Sequence, residues 1–178
     1  DDIVHVLQEE HHEDMLLISG VEGTERIGGP FNESIRKRTP WLLINLITAF
    51  MASAVVGLFQ DTIEQVVVLA VAMPIITGMG GNSASQTLAL VIQEVAIGQL
   101  TWEKDKKYVL NEIWLGLVNG IITGIFAAIA LYIPYQNFFL SIIVILAMAM
   151  NLMVGAFFGF FVPLFLKKLN LDPAISST

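Results

Sequence analysis

Long stretches without a charged side chain are the clearest feature of the chain. No Asp, Glu, Lys, Arg or His occurs in residues 39–60, 65–93 or 113–166. As one helix the last stretch would be about 80 Å long, whereas the hydrocarbon core of a bilayer is about 30 Å thick. It must therefore fold back once, and residues 132–137 combine turn residues with interfacial aromatic side chains.

This pattern predicts four membrane-spanning helices, at about 40–59, 65–97, 109–133 and 137–167. Thr39 and Pro40 resemble an N-cap followed by a proline at the first helical position, and Asp61 or Thr62 can cap the second helix. Asp172 and Pro173 repeat the signal and predict a further helix that begins within the tail, residues 169–178. The fold class is therefore all-α and polytopic, with residues 39–168 as the transmembrane domain.

Composition excludes the main alternatives to a membrane protein. The 178 residues are 55% hydrophobic and 14% charged, whereas soluble domains have roughly 25% charged residues. There is no cysteine, which excludes thiol chemistry and disulfide scaffolds. The net charge of −7 argues against a nucleic-acid partner. No phosphate-binding glycine loop, nucleophile–base set or zinc-protease motif occurs, so an enzyme is not predicted.

The basic residues predict the orientation in the membrane. With four spans, all of them fall in the amino-terminal segment, the loop after the second helix or the tail, which lie on one side. They are Arg26, Arg36, Lys37, Arg38, Lys104, Lys106, Lys107, Lys167 and Lys168. The positive-inside rule then places both ends of the chain in the cytoplasm, with the lipid bilayer as partner.

The second predicted helix carries an unusual polar segment. Residues 74–86, PIITGMGGNSASQ, lie between apolar stretches and therefore near the membrane centre. Polar groups in hydrocarbon are costly, so this segment must face protein or a water-filled path, and glycines permit close approach or an irregular backbone that exposes carbonyl oxygens. An ion pathway lined by this segment is favoured. The alternative is a tight helix crossing.

Small residues recur at every fourth position in the other helices. Such stripes are typical of close helix packing. They comprise Gly116, Gly120, Gly124 and Ala128, then Ala147, Asn151, Gly155 and Gly159, and finally Ala49, Ser53 and Gly57. Asn151 differs because an amide in mid-membrane needs a partner or water, and it is a pathway candidate. Asn45 and Asn119 are expected to be satisfied by neighbouring helices.

Acidic residues suggest two further features. Glu94 and Glu112 lie near the cytoplasmic helix ends, where ion pairing with Lys104, Lys106 and Lys107 is favoured over a cation vestibule. Residues 1–18 predict an amphipathic cytoplasmic helix, with its acidic residues on adjoining turns. Mg²⁺ or Ca²⁺ could relieve the repulsion among these carboxylates. From these residues alone, a solvated acidic helix is the favoured interpretation.

Together these motifs resemble the MgtE magnesium channels. The resemblance rests first on Gly-Met-Gly-Gly-Asn-x-x-x-Gln at positions 78–86. It extends upstream to the acidic residues from Glu9 to Asp14 and the RKRTPW run at 36–41, and downstream through Glu112 and Asn151 to Asp172. It covers essentially the whole chain.

The resemblance implies a homodimeric Mg²⁺ channel in the prokaryotic plasma membrane, gated by cytosolic Mg²⁺. Its amino-terminal and CBS domains would precede this region, and residues 1–38 would contain the linking plug helix. Glu10, Glu13 and Asp14 match acidic residues that hold regulatory Mg²⁺. The pore would be lined by the second and fifth helices, the latter carrying a carboxylate beyond Thr178.

We therefore expect Mg²⁺ conduction without covalent chemistry. Mg²⁺ dehydrates reluctantly, so a wall of neutral oxygens facing a hydrated ion is suited to it. The candidate pathway residues are Thr77, Gly78, Gly80, Gly81, Asn82, Gln86 and Asn151. The alternatives are a secondary transporter of another solute, in which a broken helix binds an anion, and a structural module that only dimerises through its small-residue stripes.

Overall fold

The computed structural model describes residues 28–96, 100 and 106–169, and this part of the chain contains five α-helices and no strand. They are α1 (Phe31–Gly57), α2 (Gln60–Gln65), α3 (Val68–Ala96), α4 (Lys106–Tyr135) and α5 (Phe138–Lys168). All except α2 are long and apolar enough to cross a membrane. The predicted all-α, four-span architecture is confirmed. The acidic residues Glu10, Glu13 and Asp14 and the predicted helix after Asp172 lie outside the described residues.

The first spanning helix begins earlier than the sequence predicts. α1 starts at Phe31 after Pro30, so Pro40 lies inside the helix and Thr39 does not cap it. The added turns are polar and contain an ion pair from Lys37 Nζ to Glu33 Oε1 at 3.0 Å. Charged pairs at this spacing support a helix outside the apolar region, where hydropathy gives no signal for it.

The cap predicted for the second spanning helix belongs to a different element. Asp61 lies in the first turn of the short helix α2, where a carboxylate is favourable, and Thr62 follows it. A turn at residues 66–67 then separates α2 from α3, with the Leu69 N–H donating to the Val66 carbonyl at 2.9 Å. α3 therefore begins at Val68.

The predicted fold-back is confirmed and is very short. α4 continues through Pro134 to Tyr135, and α5 begins at Phe138. Gln136 adopts a positive φ of 50°, and the Asn137 side chain accepts a hydrogen bond from the Leu140 N–H at 3.1 Å. The left-handed residue reverses the chain and the asparagine caps the new helix, so two residues suffice to join the spans.

The described helices belong to two compact units. α1 lies in one unit, and α3, α4 and α5 lie in the other. Within the latter, α5 packs extensively against both α4 and α3, whereas α3 and α4 contact each other only briefly. The most buried large side chains, Met148 and Val144, belong to α5. α5 is therefore the centre of this unit, with a crevice between α3 and α4.

Glycines bring α4 close to α5. A Cβ added at Gly116 would lie 2.8 Å from the Leu152 carbonyl oxygen, and one at Gly120 would lie 2.5 Å from the Ala149 Cα. Gly124 faces the backbone of Ile145 in the same way. Backbone cannot yield as a flexible side chain can, so this stripe forms the packing surface that its spacing predicts.

Candidate functional site

The polar segment of α3 is helical throughout. α3 runs from Val68 to Ala96 without a break, although Pro74 lies inside it. The Thr77 hydroxyl donates to the Met73 carbonyl at 2.9 Å, within the same helix. The irregular backbone considered from the sequence is therefore not found, and the carbonyls of residues 78–81 belong to a regular helix. A pathway along this helix would be lined by side chains rather than by backbone carbonyls.

One face of α3 forms a tight seam with α5. Gly80 is buried, and a Cβ added at Gly155 would lie 2.5 Å from its carbonyl oxygen. Gly159 faces the Ala84 carbonyl at similarly close range. The Ser83 hydroxyl donates to the Leu152 carbonyl at 3.0 Å. The seam thus combines small residues with interhelical hydrogen bonds, as is typical of membrane helix crossings.

Asn151 lies in this seam. Its side-chain nitrogen donates a short hydrogen bond to the Ile76 carbonyl of α3. A Cβ added at Gly80 would collide with the same amide. The structure therefore places Asn151 and Gly80, both predicted to line the pathway, in a contact between helices. The Asn151 amide is therefore hydrogen-bonded within the protein.

The other predicted residues lie on the open side of α3. Thr77, Gly78, Gly81, Asn82 and Gln86 are exposed. A Cβ added at Gly78 or Gly81 would meet nothing within 4 Å. The structure thus divides the predicted set, with five residues on one surface and two in the seam.

A polar cavity adjoins this open surface. It has a volume of about 380 Å³ and lies between α3 and α4, and Leu152 of α5 also lines it. Its lining consists of hydroxyls, amides and three apolar side chains, namely Met79, Asn82, Ser83, Ser85, Gln86, Asn119, Ile122, Thr123 and Leu152. None of these residues is charged. In the described part of the chain, no three His, Asp or Glu side chains come together in a metal-binding group.

The sequence did not identify all of these residues. Asn119 was expected to be satisfied by neighbouring helices, yet it is exposed and lines the cavity. Thr123 stands four residues later and its hydroxyl donates to the Asn119 carbonyl at 2.8 Å. Their i, i+4 spacing places both on one face of α4, beside the glycine stripe, and this spacing is the available signal. Ser83 and Ser85 also line the cavity and were not among the predicted pathway residues.

A second cavity of about 400 Å³ lies near the other end of the α3–α4 crevice. Its lining includes the carboxylates of Glu94 and Glu112 and the apolar side chains of Leu90, Val91 and Phe160. Thr87, which is 5% exposed, donates its hydroxyl to Glu112 Oε2 at 3.1 Å. This hydrogen bond between α3 and α4 was not predicted from the sequence.

The ion pairing predicted for these carboxylates is not found among the described residues. Lys107 is exposed and forms no ion pair with Glu94 or Glu112. Lys104 and the side chain of Lys106 lie outside the described part. Lys167 instead reaches the end of α3, where its Nζ donates to the Val95 carbonyl at 3.3 Å. A cation there neutralises the negative end of the helix dipole.

Comparison with known proteins identifies a family and several relatives that the chain resembles. The family model described as MgtE, a divalent cation transporter, matches residues 73–178. A magnesium transporter MgtE of Enterococcus faecalis is 29% identical over 180 residues, covering 99% of this chain and 39% of the relative. Proteins of the same name are 28% identical in Bacillus subtilis and 27% identical in Thermus thermophilus. The chain spans about 40% of the length of these relatives.

Proposed function

The chain belongs to the MgtE family of divalent cation transporters, and from this premise we propose that it forms the membrane part of a Mg²⁺ channel. One observation carries the proposal. The open face of α3 presents Asn82, Ser85 and Gln86 to a cavity that Asn119 and Thr123 complete from α4. Unsatisfied polar groups in hydrocarbon cost several kcal/mol each, so a mid-helix surface of this kind is tolerated where it lines a water-filled path.

The chemistry of this lining suits a hydrated dication. Mg²⁺ holds its waters tightly in an octahedral shell, and stripping them would require charged ligands in close contact. Amide and hydroxyl groups instead accept hydrogen bonds from the bound waters, so the ion keeps its shell while it passes. A neutral wall also binds weakly enough for the ion to leave, which conduction requires.

The complete pathway needs more than these residues. A dication in a low-dielectric pore is stabilised by a carboxylate, and the resemblance to the family supplies one on a further helix beyond Thr178. A homodimer provides the second wall. The same resemblance gives Glu10, Glu13 and Asp14 the role of holding regulatory Mg²⁺ for gating, with amino-terminal and CBS domains upstream. The distribution of basic residues supports an orientation with both ends of the chain in the cytoplasm, and the family resemblance supports the plasma membrane.

Structural observations weigh against the two alternatives. A broken-helix transporter needs a half-helix amino terminus inside the membrane, and α3 is continuous. A purely dimerising module needs free small-residue stripes. Two of the three predicted stripes are covered, since Gly116, Gly120 and Gly124 pack against α5, and Gly155 and Gly159 pack against α3. The stripe of Ala49, Ser53 and Gly57 on α1 is exposed in the described residues.

The direct test is flux through the complete protein in liposomes. With internal dye that reports Mg²⁺, we expect uptake that follows an imposed K⁺ diffusion potential and needs no Na⁺ or H⁺ gradient. A strict requirement for a coupling ion would replace the channel with a secondary transporter. Folded, dimeric protein without Mg²⁺ flux under any potential or regulatory Mg²⁺ concentration would favour the structural module.

A further inference from the structure

We propose that Asn151 is a positioning residue, whose amide fixes the rotation of α3 about its own axis and so determines which α3 side chains face the ion pathway. The proposal rests on the proposed function, because it concerns the orientation of the surface assigned to the ions. It assigns Asn151 no contact with them. Its action passes through Ile76 and Gly80 of α3.

The hydrogen bond to Ile76 is added to the helix without disrupting it. In a regular α-helix the Ile76 carbonyl accepts from the Gly80 N–H, four residues on. A carbonyl oxygen has two lone pairs, so it can also accept the Asn151 amide from α5. This second bond crosses between helices and has a fixed direction, which makes it sensitive to rotation.

Gly80 leaves the space that the Asn151 amide occupies. The three atoms nearest to a Cβ added at Gly80 all belong to the Asn151 side-chain amide, and all lie too close for a real contact. Any side chain at position 80 would therefore displace the amide or turn the helix. The glycine and the asparagine form a matched pair, one providing the space and the other the bond.

The location of this pair explains its importance for α3. Pro74 lacks an N–H and removes the main-chain hydrogen bond to the Ala70 carbonyl, which weakens the first half of the helix. Ser83 and Lys167 link later turns of α3 to α5. Asn151 links the turn that directly follows the proline.

Helix geometry relates the contact between Gly80 and Asn151 to the open face of α3. At 3.6 residues per turn, Asn82 lies about 200° around α3 from Gly80. The contact between Gly80 and Asn151 and the open face are therefore on opposite sides of the helix. Gly78, Asn82 and Gln86 follow one another at four-residue spacing and form a stripe on that open face. A rotation of α3 would move this stripe away from the cavity and bring Ala84 and Leu88, which pack inside the protein, towards the cavity.

Cysteine accessibility provides the test, because the 178 residues contain no native cysteine. In the complete protein, single substitutions Gly78→Cys, Asn82→Cys, Gln86→Cys, Ala84→Cys and Leu88→Cys are labelled in membranes by an impermeant, charged thiol reagent, and the protein without an introduced cysteine gives the background. Each is measured with native Asn151 and with Asn151→Ala. The matched control is Met150→Ala, since Met150 adjoins Asn151 in α5 and is 62% exposed.

With native Asn151 we expect rapid labelling at 78, 82 and 86 and slow labelling at 84 and 88. An interhelical hydrogen bond of this kind is worth about a threefold to tenfold change in an equilibrium. Asn151→Ala should therefore raise the labelling rates at 84 and 88 by that factor and lower those at 78, 82 and 86. Met150→Ala should leave the pattern unchanged. A merely structural role would reduce the amount of folded protein and preserve the pattern.

The two proposals fail in different ways. Slow labelling at 78, 82 and 86 in the native background would remove the water-filled pathway, and the positioning role with it. Rapid labelling there, unaltered by Asn151→Ala, would overturn the positioning role alone and leave the pathway intact. If Asn151→Ala does not reach the membrane, Asn151→Ser replaces it in the same comparison, because serine is too short to reach α3.

A second measurement tests the pair itself. Gly80→Ala should sharply reduce Mg²⁺ flux, and Asn151→Ala in the same chain should restore part of it by vacating the space. Contacting residues show such non-additive effects, whereas independent residues do not. Strictly additive losses would show that Gly80 and Asn151 do not act as a unit.

Discussion

The two faces of α3 use the same kinds of residue for opposite purposes. Gly80 and Gly81 are neighbours, yet a Cβ at the first would strike the Asn151 amide and one at the second would meet nothing within 4 Å. Asn151 and Asn82 are both amides at mid-helix, yet the first is bonded to a carbonyl and the second faces a cavity. The environment decides whether a polar or small residue in a membrane packs helices or serves a pathway.

The largest expected difference between the faces concerns folding. Gly159→Leu would drive a side chain into the Ala84 backbone and should destabilise the protein by about 3 kcal/mol or more, because the seam cannot open without losing its other contacts. Gly81→Leu should leave the folded state intact and lower Mg²⁺ flux. Thermal unfolding in detergent and flux in liposomes, measured on both variants, check this. Equal destabilisation by both would mean that the open face is also packed.

The next largest effect concerns transport. Asn82→Leu and Gln86→Leu should each reduce Mg²⁺ flux by about tenfold, since losing one hydrogen bond to an ion's charged hydration shell costs about 1.5 kcal/mol in the barrier. Their thermal stability should equal that of the unmodified protein. Gln65→Leu, at the end of α2, is the control for loss of an amide elsewhere. Undiminished flux in both variants would place the pathway on another surface.

The smallest expected difference is between substitutions of two serines. Ser83→Ala removes the hydrogen bond to the Leu152 carbonyl and should cost about 0.6 kcal/mol of stability. Ser83 also borders the cavity, but its hydroxyl is already donated to Leu152, so its loss should change flux less than the loss of the Ser85 hydroxyl. Ser85→Ala removes a hydroxyl from the cavity lining and should lower flux without changing stability. Chemical denaturation and flux assays on the pair separate the two roles. A reversed outcome would show that the faces have been assigned the wrong way round.

Much of the fold follows from the sequence because a bilayer imposes simple rules. Charge-free stretches of sufficient length must cross, and the one stretch that was too long had to reverse near residue 136. Helix ends outside the apolar region were harder. The prediction for α1 failed at Thr39–Pro40 because the preceding polar turns are stabilised by local pairs such as Glu33 with Lys37, which leave no hydropathy signal.

The candidate site was less predictable for a geometric reason. The motif at 74–86 drew attention to one helix, but motif spacing does not tell which neighbour each side chain meets. Asn151 and Gly80 carried the same polar or small character as Asn82 and Gly81, and their mutual contact depends on how α5 docks. Asn119 was misjudged for the same reason, since its neighbours lie on other helices.

The two-residue turn at Gln136 and Asn137 bears on how the protein is made. Because α4 and α5 are joined so tightly and are fitted together by glycines, we expect them to enter the bilayer from the translocation machinery as one preassembled hairpin. α3, synthesised earlier, would then wait in the lipid for its partner surface on α5. The open face of α3 would be the last part of this unit to acquire its final orientation. Chains with defects in α5 should therefore be degraded earlier than chains with defects in α3.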